Sequence, residues 1–285
     1  MVGNKILRGT PRLSVSTWSL HRQLGRPDVY GPESGQRVPE ASHGKGTISL
    51  LELPSRLSAF GIHTLEICHF HLPRLDRAYL DELRLAMEAS GIELFSLLID
   101  GGDITHPVES ERDLSWIGEW IDVAGILGAR CARVIAGKAP SSNSTMRQSR
   151  AGLQELANCA ESYGVRVMTE NWFPLLSTPE HVLALLDDLD GKVGLCLDFG
   201  NWKGEKKYED FKAIAPYAES CHAKAFFDEN ENLDRDDYTS CLNLMRDAGF
   251  AGPYTLIYDG PGDEEWEGLA QEREILQPYI TRTRD

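Results

Sequence analysis

Three short apolar segments in the second half of the chain each end on a side chain that commonly binds a metal ion. They are Arg166-Val-Met-Thr-Glu170, Gly194-Leu-Cys-Leu-Asp198 and Glu219-Ser-Cys-His222. Two carboxylates and an imidazole are typical donors to a divalent cation. The next apolar segment, Tyr254-Thr-Leu-Ile257-Tyr258, has no ligand at the matching place. The spacing therefore predicts a metal site built by three consecutive segments, without a contribution from the fourth.

These segments belong to a repeated pattern in which a helix-like stretch ends at a glycine and a β-rich run follows. The glycines are Gly61, Gly91, Gly128, Gly164 and Gly249. Glycine just beyond a helix adopts the left-handed conformation that other residues resist, so each one predicts a helix end that leads into a strand. The repetition indicates a chain of alternating α and β units.

Hydrophobic periodicity predicts eight strands, each followed by a helix. The strand candidates are Leu13–Thr17, Thr64–Cys68, Leu94–Leu98, Cys131–Ile135, Arg166–Glu170, Gly194–Asp198, Glu219–Lys224 and Tyr254–Tyr258. The helix candidates include Ser149–Tyr163 and Tyr208–Ala218. This alternation favours an α/β protein with a closed (β/α)8 TIM barrel, and an open doubly wound sheet is the main competitor. No G-x-G-x-x-G motif follows the first strand, which disfavours the dinucleotide-binding form of that competitor.

Strand ends in a βα barrel meet at one rim, so residues that are distant in sequence become neighbours there. Glu170 and Asp198 lie 28 positions apart, and Asp198 and His222 lie 24 apart, which is about one βα unit in each case. We therefore expect the three side chains around one cation. Their donor set favours Mn²⁺ or Mg²⁺, with Zn²⁺, Co²⁺ and Fe²⁺ as alternatives.

Length and charge restrict the fold and the partners. A chain of 285 residues with 41% hydrophobic content can bury one large core, so we expect a single barrel domain over residues 1–285. The net charge of −15 disfavours nucleic acid and anionic membranes as partners. Without a long apolar run or a secretory leader, a cytoplasmic protein is expected.

The six cysteines lie in apolar segments without a C-x-x-C pair, which predicts buried thiols. The long polar segment Ser19–Gly46 would form a β1–α1 loop over the C-terminal face of the barrel, as a lid.

Three motifs contain the three predicted ligands, and three further motifs lie at or near other predicted strands. They are Thr-Glu170-Asn-Trp, Cys-Leu-Asp198-Phe-Gly-Asn201, Cys-His222-Ala-Lys224, Leu65-Glu66-Ile, Leu127-Gly-Ala-Arg-Cys-Ala-Arg133 and Gly252-Pro-Tyr. With these motifs the chain resembles the xylose isomerase-like TIM barrel superfamily, and within it the sugar phosphate isomerase/epimerase family, over residues 12–280. The motifs are specific for the superfamily and not for a substrate, because its members act on many sugars and sugar-like acids.

The resemblance implies a metal held by a glutamate from the fifth strand, an aspartate from the sixth, a histidine from the seventh and a glutamate from the eighth. The first three correspond to Glu170, Asp198 and His222. The fourth position falls on Ile257, which cannot bind a metal. Asp259 lies two residues further along the same strand face, about 6.6 Å away by strand rise. It would replace the missing ligand only after a backbone shift.

The resemblance also implies a metal-dependent isomerase or epimerase that acts on a sugar or sugar phosphate in carbohydrate metabolism. Such enzymes remove a proton next to a carbonyl and stabilise the resulting enediolate with the metal. The expected catalytic residues are Glu170, as the base, and Lys224. The lysine lies two positions after His222 on the same strand face, where it would polarise the carbonyl, bind an acidic group or only balance charge.

The expected substrate is a small sugar or sugar-like acid, and the residues predicted to bind it lie at neighbouring strand ends. They are His69, His71, Arg133, Asn171, Trp172, Asn201 and Asp259. Asn201 stands where many relatives have a histidine. Its amide can orient a substrate oxygen, but it cannot carry a proton near neutral pH.

Ile257 leaves two other interpretations open. One is a non-catalytic barrel that binds a sugar-like ligand. The other is a metal-dependent lyase or dehydratase of a keto-acid, for which Glu170 alone would suffice as the base. An abasic-site endonuclease resembles the same superfamily, but it needs additional histidines and a cationic DNA-binding surface. A homo-oligomer is compatible with the resemblance, although no feature of the sequence identifies an interface.

Overall fold

The structure, a computed structural model, describes residues 9–25, 31–32 and 46–281. Within these residues, eight parallel strands close into a barrel in chain order, and β8 pairs with β1. The strands are β1 (Arg12–Ser16), β2 (Thr64–Cys68), β3 (Glu93–Ile99), β4 (Cys131–Val134), β5 (Arg166–Glu170), β6 (Gly194–Asp198), β7 (Ala218–Lys224) and β8 (Pro253–Ile257). The predicted (β/α)8 TIM barrel is confirmed.

Helices connect the strands and cover the outside of the barrel. They are α1 (His21–Leu24), α2 (Leu53–Phe60), α3 (Arg77–Ala89), α4 (Ser110–Leu127), α5 (Asn143–Glu161), α6 (Pro179–Leu189), α7 (Lys207–Ile214), α8 (Arg235–Asp247) and α9 (Glu265–Ile280). In the part of the chain that the structure describes, no helix combines the length and the apolar character needed to cross a bilayer.

The strands are buried on both faces, as is usual for parallel sheets that helices cover. Side chains such as Ile67 and Leu197 belong to the large cluster between the barrel and its helices. A separate small cluster consists of Phe95, Cys131, Met168 and Cys196. Cys196 lies two residues before the end of β6, so this second cluster fills the barrel interior below the rim.

The register between neighbouring strands decides which side chains lie side by side at the C-terminal rim. Asp198 pairs with His222 across β6 and β7, and Lys224 pairs with Ile257 across β7 and β8. Paired residues of parallel strands point to the same face of the sheet. Asp198 and His222 therefore form one level of the rim, and Lys224 and Ile257 form the next level towards its mouth.

Two predicted helices have different ends in the structure, and local chemistry explains both. Helix α5 begins at Asn143 and not at Ser149, because Ser142 and Thr145 form a reciprocal capping box that satisfies the first backbone N–H groups. Helix α7 ends at Ile214 and not at Ala218. The cause is Pro216, which has no backbone N–H to continue the ladder and lies in a short 3-10 turn.

The predicted lid is described only in part. After β1 the chain forms a 3-10 turn over Thr17–Leu20 and then α1, whereas residues 26–30 and 33–45 lie outside the described residues.

The cysteines are free thiols, as predicted, and five are buried. Cys159 is the exception to predicted burial, because it lies exposed on α5.

Glu265, the first residue of α9, anchors α1. Its carboxylate is fully buried and accepts hydrogen bonds from the backbone N–H groups of Arg22 (2.8 Å) and Gln23 (3.1 Å). Burial raises the pKa of Glu265 to about 7, although these hydrogen bonds act in the opposite direction. The folded state therefore binds the proton more tightly than the unfolded chain does.

We expect this group to make the free energy of unfolding fall as the pH rises from about 4.5 to about 7, because the unfolded chain ionises first. The contribution is at most about 3 kcal/mol. Glu265→Gln should flatten the profile in this window, and urea unfolding at about pH 5 and about pH 7.5 would measure it. Glu264→Gln, on an exposed neighbour, is the control. Parallel profiles for Glu265→Gln and the wild type would contradict the expectation.

Candidate functional site

A cavity of about 200 Å³ opens at the C-terminal end of the barrel. We call it the inner cavity. Glu170, Asp198 and His222 all line it, together with Lys224 and Ile257. The ends of β5, β6, β7 and β8 therefore contribute to one hollow, as the strand pattern predicts. The eighth strand contributes an alkyl side chain at the position where the resemblance led us to look for a carboxylate.

His222 lies between the two carboxylates. Its Nδ1 atom is 3.5 Å from Glu170 Oε2 and 3.5 Å from Asp198 Oδ2, and all three side chains are buried. Its other nitrogen, Nε2, lies 2.8 Å from Oε2 of Glu66, a buried residue of β2. With the Nε2 proton donated to Glu66, the Nδ1 lone pair of a neutral ring points towards Glu170 and Asp198.

The two carboxylates have opposite pKa shifts. Burial raises the pKa of Glu170, and Asp198 adds to this, while Arg133 and His222 act in the opposite direction. The pKa of Asp198 is lowered, because the hydrogen bond and charge of His222 and the charge of Lys224 outweigh the effect of burial. A pair of carboxylates with separated proton affinities is a common basis for assigning one as a base and the other as a permanently ionised group.

The imidazole itself favours a positive charge. Burial, the largest single influence, opposes protonation of His222, but Cys196, Glu66 and Glu170 together raise its pKa well above the usual value. A metal ion at Nδ1 would take the place of that proton. Binding of the metal should therefore compete with protonation of the ring.

Glu170 is held by two neighbours. Asn201 Nδ2 donates to Glu170 Oε1 at 2.6 Å, and Arg133 Nε lies 3.1 Å from Glu170 Oε2. The Arg133 guanidinium also pairs with Asp100 at 2.5 Å and lies 5.5 Å from the centre of the Trp172 ring. The predicted residues Arg133, Trp172 and Asn201 thus all line the inner cavity beside the predicted base.

Asn171 has a different position. It is fully buried, and its side chain accepts from the backbone N–H of Asp198 (2.8 Å) and donates to the carbonyl of Asp198 (3.2 Å). It therefore links β5 to β6 and fixes the backbone of a predicted ligand. Asp198 Oδ1 in turn accepts from the backbone N–H of Gly200 at 2.5 Å.

Asp259 does not lie with the three predicted ligands. Its Oδ2 accepts a hydrogen bond from Lys224 Nζ at 2.6 Å. It lines a second cavity of about 410 Å³, the outer cavity, which also contacts Lys224. In this arrangement the carboxylate of Asp259 pairs with the lysine beside Ile257.

The two predicted histidines of the β2 end are buried in packing contacts. His69 lies 5.3 Å and 5.0 Å, between ring centres, from Trp116 and Trp120 of α4. His71 Nδ1 lies 2.8 Å from Thr17 Oγ1. Neither is among the residues that line the inner cavity. Their contact with a substrate stays a prediction.

Three contributors to the site were not predicted as site residues. Glu66 belongs to β2, and Asp100 directly follows β3. Cys196 lies with Glu170 and His222 in a group whose possible ligand atoms are all within 4.8 Å of one another. Glu66 could have been found, because a carboxylate inside the otherwise apolar run Leu65–Ile67 needs a buried partner. Nothing in the sequence indicates that this partner is His222, which lies 156 positions away.

The residues present fit a divalent cation. Glu170 Oε2 is buried, and it accepts no hydrogen bond from the residues that the structure describes. Two carboxylates and one imidazole with its second nitrogen fixed by Glu66 form a suitable donor set. Cys196 adds a soft donor below them. The open side towards Ile257 leaves room for water or for oxygens of a substrate.

We expect Glu66→Gln to weaken Mn²⁺ binding about tenfold or more, as is usual when a ligand loses its outer partner. Glutamine still accepts the Nε2 proton, but it lacks the negative charge that makes the imidazole a stronger donor. Competitive titration with a metal indicator measures the change. Glu219→Gln removes a buried carboxylate that pairs with Arg166 at the opposite end of the barrel, and it should leave Mn²⁺ affinity unchanged. Equal losses in both variants would indicate general destabilisation instead.

Comparison with known proteins agrees with this architecture. The family model described as xylose isomerase-like TIM barrel matches residues 54–279. No curated protein matches the sequence. Solved structures do match. A xylose isomerase-like TIM barrel protein from Mycobacterium smegmatis in complex with magnesium has a TM-score of 0.68 at 17% identity, over 94% of this chain and 96% of that one.

Two further structures have names that describe a reaction. A probable 3-DHS dehydratase involved in petrobactin synthesis from Bacillus anthracis has a TM-score of 0.68 at 16% identity, over 93% of this chain and 98% of that one. D-psicose 3-epimerase with D-tagatose from Clostridium cellulolyticum H10 has a TM-score of 0.67 at 13% identity, over 94% and 99%. At these identities the similarity establishes the fold.

Proposed function

The chain belongs to the xylose isomerase-like TIM barrel family, and from this premise we propose that it is a metal-dependent isomerase or epimerase of a sugar or sugar phosphate. The observation that carries the proposal is the position of His222 Nδ1, 3.5 Å from both Glu170 and Asp198 in one buried cavity. Family neighbours named as epimerases support the reaction class.

In this proposal Glu170, Asp198 and His222 hold a divalent cation, Mn²⁺ or Mg²⁺ by preference, which supplies positive charge where an enediolate develops. Glu170 removes the proton next to the carbonyl, because its raised pKa makes it the stronger base of the two carboxylates. Asn201 holds Glu170 Oε1 in place. Lys224, at the next level of the rim, lines the same cavity and would contact the substrate.

Ile257 supports isomerisation over epimerisation. Epimerisation by two bases needs a carboxylate on each face of the substrate, and the eighth strand provides an alkyl group. A single base that returns the proton to the face from which it came is sufficient for aldose–ketose isomerisation. We therefore favour one-base isomerisation. A lyase step on a keto-acid, which also needs one base, is the second candidate, and a dehydratase among the structural neighbours favours it.

Metal analysis tests the proposal directly. Protein dialysed against Mn²⁺ and then freed of loose ions should retain about one equivalent. Glu170→Ala and His222→Ala should each lose it, whereas Glu229→Ala and His63→Ala, which change exposed residues of the same types, should retain it. No bound ion in the wild type, or equal retention by all variants, would refute a metal site at these residues.

Turnover then separates an enzyme from a binding protein. Aldoses, ketoses and keto-acids are incubated with the Mn²⁺-loaded protein in deuterated water. An isomerase should introduce deuterium at the carbon next to the carbonyl. A metal-loaded protein that binds these compounds but neither converts them nor exchanges a proton would be a non-catalytic barrel.

A further inference from the structure

Lys224 lies where the rim lacks a carboxylate. It projects from the same face of β7 as His222 and pairs in register with Ile257 of β8. Paired residues of neighbouring parallel strands have adjacent side chains. Lys224 and Ile257 both line the inner cavity, so a glutamate at position 257 would stand on the same wall as the lysine.

The position of Lys224 is fixed by packing. Its aliphatic stem runs so close to Gly200 that a Cβ atom there would lie 2.6 Å from Lys224 Cδ. The glycine thus makes room for the lysine beside Asp198, on the rim of the inner cavity. Lys224 lines the inner cavity together with Asp198 and Glu170.

The partner of Lys224 is comparatively accessible. The Lys224–Asp259 bond measures 2.6 Å, and the two side chains are 31% and 38% exposed. Lys207 in the outer cavity is a useful contrast. Its ammonium group lies 2.7 Å from both oxygens of Asp237, and those side chains are 13% and 20% exposed. A ligand can therefore compete for Lys224 far more readily than for Lys207.

Among the described residues, Arg133 is a second cation that lines the inner cavity, and it is paired with carboxylates. Arg133 is buried between Asp100 and Glu170. Of the residues lining the inner cavity that the structure describes, Lys224 has the ion pair most open to solvent, so an acidic group of a substrate can displace Asp259 from it.

Building on the proposed function, we propose that the substrate of this site is a polyhydroxy or keto acid, whose carboxylate binds Lys224 in the space beside Ile257. A phosphate group is less suited, because it usually needs several N–H donors around its three oxygens, and Lys224 is the one lysine among the described residues that line this cavity of about 200 Å³. Lys224 is thus a specificity-determining residue that selects acids over neutral sugars.

Two probes of equal carbon skeleton test this inference. D-gluconate carries a carboxylate where D-glucitol carries a hydroxymethyl group. Isothermal titration of the Mn²⁺-loaded protein should show gluconate binding about 10- to 100-fold tighter, the effect of one charge-assisted hydrogen bond. Lys224→Met should abolish the preference. Asp259→Asn should increase it, because it removes the competing carboxylate. Lys207→Met, in the outer cavity, should leave it unchanged.

The outcomes separate the inference from the function on which it rests. Three results would overturn carboxylate selection while Mn²⁺ is retained and the metal site stands. They are equal affinity for both probes, no binding of gluconate, and a preference for gluconate that survives Lys224→Met. Failure of the wild type to retain Mn²⁺ would overturn the proposed function itself. Circular dichroism of each variant verifies that it is folded, and Lys224→Arg should retain most of the preference if the cation is responsible.

Discussion

Replacing Ile257 with glutamate should raise the affinity for Mn²⁺ by about 10- to 100-fold, because a direct ligand should contribute at least as much as an outer partner does. Ile257 lines the same cavity as Glu170, Asp198 and His222, so the new carboxylate would enter the existing site. Lys224 lies beside it and would reduce the cost of burying the charge. Competitive titration with a metal indicator measures the change.

The same substitution should affect stability in opposite ways with and without metal. In the metal-free protein a buried glutamate among Glu170 and Asp198 adds like charge, so the melting temperature should fall. With Mn²⁺ bound, the loss should be recovered, since a ligand that binds the folded state stabilises it. Ile257→Gln offers an oxygen of the same reach without the charge and should gain much less affinity. An unchanged Mn²⁺ affinity for Ile257→Glu would mean that position 257 does not face the metal.

The sequence predicted the barrel well because its signals are local. A glycine after several of the helices, as at Gly61 and Gly128, takes a left-handed conformation that the structure confirms at both positions. Apolar runs such as Thr64–Cys68 and Gly194–Asp198 match strands residue for residue. The closure of eight such units then follows from general rules of parallel sheets. The convergence of Glu170, Asp198 and His222 needs no more information than these local signals provide.

The parts of the site that the sequence could not reveal depend on contacts between distant parts of the chain. His69 follows a strand just as a site residue should, yet Trp116 and Trp120 of α4 surround it, and no local pattern connects the three. Asp259 was predicted to contact the substrate or replace a ligand. Lys224 pairs with Ile257 in the register of β7 and β8, and it donates a hydrogen bond to Asp259. These two contacts determine where the carboxylate of Asp259 lies. Side-chain pairing of this kind is fixed only by the closed barrel.

Replacing Glu170 with glutamine should reduce turnover by about 10²- to 10⁴-fold, the usual contribution of a general base. The substrate would be the one that the aldose, ketose and keto-acid panel identifies. Glutamine retains an oxygen that can accept the hydrogen bond from Asn201 and contact a metal, so Mn²⁺ affinity should change far less than the rate. Proton exchange with deuterated water at the carbon next to the carbonyl should fall in parallel with turnover, because the same group would remove that proton.

Glu66→Gln provides the comparison that makes this result specific. Glu66 acts on the metal through His222 and has no contact with the substrate in our proposal, so its loss of activity should be recovered when Mn²⁺ is raised to saturation. The loss in Glu170→Gln should persist at saturating Mn²⁺, because the missing function is proton removal and not metal binding. If excess Mn²⁺ restores both variants equally, Glu170 serves as a ligand alone. The base must then be sought among other groups of the inner cavity.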